Sequence, residues 1–308
     1  MTAVETRPAR RDGVGSVSDR GRGGRSGTRG GPGGAGKVLP TVVLLIGAIY
    51  CLVPVAWVFV ASSKSPGELF TSFSFAPGTG LGANLAELFT YEGGQYLSWA
   101  ANSLLYAGVG GVLSTFVSTM AGYALAKYSF PGRDAIFFMI LAGVLIPGIT
   151  LAIPQYILLS EIGLAGGPLS VLLPIIISPF GIYLSRVFAQ ASVPQEILEA
   201  SRLDGAGEWR TFRHVVLPIM VPGMVTVFLL QFVGIWNNFL LPFVMLSDEG
   251  DFPLTVGLFT LLAKGSGAPA LYSLAITGAA VSIVPLVLLV LFLQRFWRLD
   301  LISGGIKG

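Results

Sequence analysis

The chain has 308 residues, 53% hydrophobic and only 11% charged, with 19 Lys/Arg against 16 Asp/Glu and a mean hydropathy of +0.75. A soluble globular domain carries about 25% charge, so the composition excludes that class. The single cysteine, Cys51, excludes a disulfide framework and a Cys-based metal site; lying inside an apolar run, it reads as a buried structural thiol.

Residues 1–37 hold eight Lys/Arg and three Asp/Glu among many Gly and Ser, with almost no large apolar side chains. Nothing there can build a core, which predicts a disordered basic arm. The basic region and the apolar run behind it are too long for a signal peptide, and no small-residue cleavage site follows. Gly31 to Lys37 reads G-P-G-G-A-G-K, the first seven positions of a phosphate-binding loop. Val38 stands where Ser or Thr would ligate magnesium, no strand precedes it and a membrane helix follows. Low complexity accounts for the match, and no ATP binding by this chain is expected.

Six apolar segments follow, at 38–62, 99–126, 135–159, 169–187, 217–246 and 271–294. Each is near or above the roughly 20 residues that cross a bilayer core, so the fold class is an all-α membrane protein with six transmembrane helices. Prolines 54, 147, 154, 174, 179, 222, 242 and 285 interrupt them. A helix bundle tolerates such breaks because neighbours and waters re-satisfy the freed carbonyls, and the kinks can shape a cavity. With the N-terminus inside, seventeen of the nineteen Lys/Arg are cytoplasmic and only Lys64 and Lys264 lie outside. The positive-inside rule therefore predicts cytoplasmic termini. No span carries Asp, Glu, Lys, Arg or His near its middle, and no pair of similarly broken helices marks two inverted halves. Ion-coupled carriers usually need a charged group at depth, so any transport would draw its energy from outside this chain.

Between the fourth and fifth spans the chain turns polar. Ser192-Val193-Pro194-Gln195 has the form of a capping box with proline in the first turn, which predicts a helix start. Asp204-Gly205 can end that helix through a left-handed residue, and a second short helix is expected from Gly207 towards Leu217-Pro218. Arg186, Arg202, Arg210 and Arg213 place the segment in the cytoplasm. A helix–turn–helix lying along the membrane is expected, either resting on headgroups or docking another protein. His214, the sole histidine, lacks a second histidine or a matched carboxylate, so it reads as a headgroup or packing contact rather than a catalyst.

Glu199-Ala200-Ser201, Asp204-Gly205-Ala206, Phe212, Leu217-Pro218 and Pro222-Gly223 resemble the EAA loop of binding-protein-dependent ABC importer permeases. Ala121-Gly122-Tyr123-Ala124-Leu125-Ala126, Trp236-Asn237-Asn238-Phe239-Leu240-Leu241-Pro242 and the terminal Ser303-Gly304-Gly305-Ile306-Lys307-Gly308 are also similar, in the same order. The resemblance runs from about residue 38 to 308 and, more narrowly, the chain looks like the carbohydrate-uptake, MalG-like branch.

That resemblance implies a type I importer permease fold, organised as the arm (1–37), a permease domain (38–298) with its coupling loop at 190–216, and a cytoplasmic tail (299–308). It implies contact with an ABC ATPase dimer through Glu199, Ala200, Asp204, Gly205 and Ala206, with Glu199 as a polar partner and Gly205 allowing the turn and close approach. An internal salt bridge from Glu199 to Arg202 is the competing reading for Glu199, and a plain helix cap is that for Gly205. Arg202 departs from the small residues common at comparable positions. Gly304, Gly305 and Lys307 would reach the ATPase subunits as an extended tail.

The partners implied are a second homologous permease chain, the ATPase dimer, an extracytoplasmic solute-binding protein, a sugar or oligosaccharide and the bilayer, with no nucleic acid. The chain itself would bind no cofactor and catalyse nothing; ATP and Mg would belong to the ATPase. Gln231, Trp236, Asn237 and Asn238 are candidates for the solute path, since aromatic faces and amides suit sugars, although the same residues also join membrane helices. Outer acidic residues Glu87, Glu92, Asp248, Glu249 and Asp251 read either as docking charges for the binding protein or as solvated surface. A polyol, glycerol phosphate or other small metabolite is the alternative solute, and a self-sufficient secondary carrier or membrane enzyme the remote alternative function. The basic arm could bind anionic lipid or stay untethered.

Overall fold

A computed structural model describes residues 35–304 except 72, 266 and 267, with the side chains of 35–37 and 297–304 left outside the description. The arm up to residue 34, including most of the P-loop-like run, and Gly305 and Lys307 of the tail therefore lie outside the described residues. Contacts divide the chain between Cys51 and Leu52; in the first unit the described part is helix from Ala35 to Cys51.

The helices are α1 (Ala35–Ser62), α2 (Pro66–Thr71), α3 (Leu81–Thr90), α4 (Gln95–Leu104), α5 (Gly111–Lys127), α6 (Arg133–Leu145), α7 (Gly148–Glu161), α8 (Pro168–Ile176), α9 (Pro179–Ser192), α10 (Gln195–Leu203), α11 (Glu208–Thr211), α12 (Leu217–Trp236), α13 (Leu240–Met245), α14 (Leu254–Lys264) and α15 (Pro269–Gly304). Among the described residues the only strand-like pairing is one bridge between Gly166 and Leu246. Five helical stretches are long and apolar enough to cross a membrane: α1, α4 with α5, α8 with α9, the helix ending in α12, and α15. The bent pair α6–α7 passes the same test when its two helices are taken together as one broken span.

Three expected spans change form; the fourth is interrupted at extended Ile177 and Ser178, between α8 and α9. The third breaks between α6 and α7, which meet at 105°. Ile146 is extended (φ −78°, ψ 121°) ahead of Pro147, because a proline ring disfavours helical geometry in the residue before it. Pro154 sits inside α7 without breaking it. The fifth span ends at Trp236 rather than at 246. Asn237 Nδ2 donates back to the Val233 carbonyl (2.8 Å) and Asn238 Oδ1 accepts from the Leu241 amide (3.3 Å). One asparagine thus closes α12 and the next opens α13. The short helices α2, α3 and α14 lie outside the expected spans. Cys51 is exposed rather than buried, since in a membrane chain apolar neighbours along the helix do not imply a protein core around it.

The spans of the second unit pack through small residues. A Cβ on Gly122 of α5 would lie 2.6 Å from both Ser185 Cβ and the Arg186 amide of α9, and one on Gly181 of α9 would collide with Ser118 of α5 and Gln231 of α12. Such close approach is how membrane helices gain dispersion energy when lipid is as apolar as their own side chains. Away from this seam, Leu88, Tyr96, Trp99, Phe232, Trp236, Leu254 and Leu274 form one apolar core. Tyr123, Ala189, Val193, Leu198, Phe212, Val216 and Met220 form a second, beneath the polar segment.

Candidate coupling segment and solute path

Helix α10 starts without the expected capping box. Ser192 is the last residue of α9, and Pro194 is the N-cap, with no side-chain bond. Along α10 the three-residue spacing turns Leu198 and Ser201 inward, both buried, and leaves Glu199, Ala200, Leu203 and Asp204 exposed. The helix then stops as expected at Gly205 (φ +76°). The Ala206 amide donates to the Ser201 carbonyl and the Gly205 amide to that of Arg202, both at 3.0 Å. This crossed pair satisfies carbonyls that a helix end would otherwise orphan, and it needs a left-handed residue that glycine supplies without strain. Gly207 caps α11, which begins at Glu208 and passes through a π turn (Phe212–Val216) into α12.

The two arms close on each other. The hydroxyls of Ser201 and Thr211 lie 2.7 Å apart in a buried seam. Trp209 packs on Phe212, and Phe212 on Tyr123 of α5, with ring centroids 5.7 and 5.6 Å apart. Arg202 pairs with Glu208 (Nε–Oε1 3.1 Å), not with Glu199 as its neighbour spacing allowed, because the turn at Gly205 returns the chain to Arg202. Tyr128, just past α5, donates its hydroxyl to the same Glu208 carboxylate. The Tyr128 hydrogen bond, followed by the one from Arg202, holds the Glu208 carboxyl below its usual range. Burial, then the bond to Glu208, pushes the Tyr128 phenol up. For Glu208 the linked stabilisation is present above the ordinary carboxylate pKa and is lost as pH falls through the depressed one.

What remains outward is a mixed tip. Leu203 is 89% and Trp209 59% exposed, beside Glu199, Ala200, Asp204 and Gly205, all exposed, and half-buried Ala206. His214 is exposed and bonds through Nδ1 to the Arg210 carbonyl (3.1 Å). Arg186, one of the four arginines read as cytoplasmic, is half-buried on α9 with its guanidinium 3.6 Å from the Phe137 ring centroid. Gly304 ends the helix α15.

The four candidate path residues do not share one cavity. Gln231 turns its amide nitrogen into the α5–α9 seam, where it finds no hydrogen-bond partner among the described residues. Trp236 is buried and stacked on Phe232 (5.7 Å, 15°), and Asn237 is occupied as a helix cap. Asn238 alone lines a cavity of about 300 Å³, between Gly148, Gln155, Pro174 and Leu241 among others. Gln155 of α7, which the sequence reading did not single out, lines the same cavity. Of the acidic residues at the opposite end, Glu249 pairs with Lys264 (3.0 Å) and Asp248 accepts from the Gly250 amide. Among the described residues no group of three His, Cys, Asp or Glu can hold a metal.

Helices long and apolar enough to cross a bilayer, joined to a polar helix–turn–helix with an exposed mixed tip, define an integral membrane component. Residues 114–298 match the family described as binding-protein-dependent transport system inner membrane component. The chain is 35% identical to the arabinooligosaccharides transport system permease protein AraQ of Halalkalibacterium halodurans, over 85% of this chain and 93% of that one. It is 31% identical to the diacetylchitobiose uptake system permease protein NgcG of Streptomyces coelicolor, over 82% and 83%. A 27% identity to the sn-glycerol-3-phosphate permease protein UgpE of Yersinia pestis covers 85% and 95%. A solved chain of a bacterial ABC transporter involved in alginate import is similar with a TM-score of 0.73 at 22% identity, covering 85% of this chain and 96% of that one, which shows the fold. The chain therefore belongs to the binding-protein-dependent transport family: it is a multi-pass inner-membrane permease component of an ABC importer and not an enzyme.

Proposed function

We propose that this permease forms half of the translocation path of an ATP-driven importer for a sugar or short oligosaccharide. The tip of 190–216 docks on a partner ATPase dimer, which binds and hydrolyses MgATP. A second, homologous permease completes the path, and an extracytoplasmic binding protein delivers the solute. The supporting observation is the tip itself. Glu199 and Ala200 lie on the exposed side of α10, and Asp204, Gly205 and Ala206 on the turn after it, closed by its own hydrogen bonds, with Leu203 and Trp209 exposed beside them. Large apolar groups left exposed together on a polar element mark a contact surface. Gly304, Gly305 and Lys307 would extend that contact, and the arm, tail and tip would all be cytoplasmic, as the distribution of Lys and Arg favours.

The sugar reading draws on relatives whose names specify arabinooligosaccharides and diacetylchitobiose; the glycerol phosphate permease, at lower identity, supports the second reading. On the path, Asn238 is the favoured contact, with Gln231, Trp236 and Asn237 acting mainly through packing and capping. The test is purification of the tagged chain from its native membranes, with Glu199→Ala and Gly205→Pro variants alongside. Wild type should carry a second permease and an ATPase, and the variants should lose the ATPase. The binding protein that associates with the complex is then titrated with arabino- and chito-oligosaccharides and with glycerol 3-phosphate. A chain that purifies alone and transports alone overturns the importer reading, and binding of glycerol phosphate alone overturns the sugar.

A further inference from the structure

Three side chains from three elements converge at the base of the polar segment, and nothing in the sequence places them together. Arg202 comes from the last turn of α10, Glu208 from the first turn of α11, and Tyr128 from the residue after α5. Arg202 Nε is 3.1 Å from Glu208 Oε1, the Tyr128 hydroxyl donates to the other carboxylate oxygen, and the Arg202 guanidinium lies 5.9 Å from the Tyr128 ring centroid. Tyr123 adds its hydroxyl 3.4 Å from that of Tyr128.

We propose that Tyr128, Glu208 and Arg202 form a latch that makes the docking tip move as one piece with the cytoplasmic foot of the second span. The proposal rests on the reading of 190–216 as the ATPase-docking segment. The tip turns through Gly205, Ala206 and Gly207, a stretch with little intrinsic stiffness. The Arg202–Glu208 bond staples its two sides, and Tyr128 ties the staple to α5. Inward of the latch, the Ser201–Thr211 hydrogen bond and the Tyr123–Phe212 ring contact continue the connection into the apolar core. From there Gly122, in near contact with Ser185, passes it from α5 to α9. A force on Leu203 or Asp204 therefore reaches two spans without crossing a loose joint. Arg202 and Glu208 are both about half exposed, where an isolated ion pair contributes little to stability. Their role is geometric, so Tyr128, Glu208 and Arg202 are positioning residues.

The test has two arms. In the complete transporter reconstituted in liposomes, Y128F and E208Q should assemble in normal yield and hydrolyse ATP at near wild-type rates. Solute moved per ATP should fall roughly fivefold to tenfold, within the range of ordinary coupling between sites. The double variant should be no worse than either single one, since both break the same contact, and E208D should recover part of the loss. In the purified permease chain, Y128F should speed amide exchange at Gly205 and Ala206 on the order of tenfold, as expected when a local opening becomes easier. Unchanged exchange, unchanged solute per ATP, additive losses, or a transport loss that only follows lower assembly yield would each overturn the latch. Wild-type chain that brings down no ATPase sinks the docking reading instead, and the exchange measurement then decides the latch by itself.

Discussion

Gly122 of α5 faces Ser185 of α9 so closely that a Cβ on the glycine would stand 2.6 Å from the serine's own. No real pair of carbon atoms sits there unstrained, so the α5–α9 contact depends on the missing side chain. Ser114, Ser118 and Ser185 are buried along the same seam. Gly122→Ala forces the helices apart, with an overpacking penalty of about 1–3 kcal/mol. The expected outcome is a lower melting temperature in detergent, with Gly122→Leu failing to yield folded protein. Wild-type stability in both variants would show that the helices are farther apart than described.

The Ser201 and Thr211 hydroxyls satisfy each other in a buried seam. Ser201→Ala leaves the threonine hydroxyl without that partner, a loss of about 1–3 kcal/mol. Adding Thr211→Val removes the stranded group while keeping its shape, so the double variant should melt nearer to wild type than the sum of the single shifts implies. Strict additivity would mean that the two hydroxyls do not bond.

Gly205 combines a left-handed backbone with open space: a Cβ there meets nothing within 4 Å. Substitution therefore acts through conformation, at about 1–2 kcal/mol for an ordinary side chain. Asn tolerates this region better than Ala, and Ala better than Val. Solute uptake should follow that order, Gly then Asn then Ala then Val. If uptake instead fell with side-chain size irrespective of backbone preference, Asn worse than Ala, the glycine would be acting through close contact with a partner.

At the other end of the bundle, a Cβ on Gly257 would overlap the indole of Trp99, whose Nε1 donates to the Glu249 carbonyl at 3.1 Å. Gln95, Asn102 and Tyr106 donate to carbonyls of the same 249–252 turn. Gly257→Ala should displace Trp99 and loosen that turn, seen as faster limited proteolysis near 248–253. Trp99→Phe, which loses one bond worth about 1 kcal/mol, should do so more weakly. Equal protection in both variants would show that Trp99 does not hold the turn.

Much of this molecule was readable from local pattern. Apolar runs of sufficient length announced the spans, and Asp204-Gly205 announced a helix end that the structure places at φ +76°. Ser192 misled because the preceding helix runs through it. The competing reading, a salt bridge from Glu199 to Arg202, fails because the folded turn brings Glu208 within 3.1 Å of Arg202. Trp236, Asn237 and Asn238 stood together in sequence, yet they serve three ends: a buried stack, a helix stop and a cavity wall.

The sequence by itself determined that the chain crosses a membrane, that its charges gather between the spans, and where the polar segment turns. Each of these follows from hydropathy, charge or backbone chirality, properties that a residue carries with it. Only the tertiary structure decided the 105° bend between α6 and α7, the cavity that Gln155 and Asn238 both line, the approach of α5 to α9, and the meeting of Tyr128 with Glu208 across eighty positions of sequence. A side chain's partner depends on which elements the fold carries together, and no local pattern contains that.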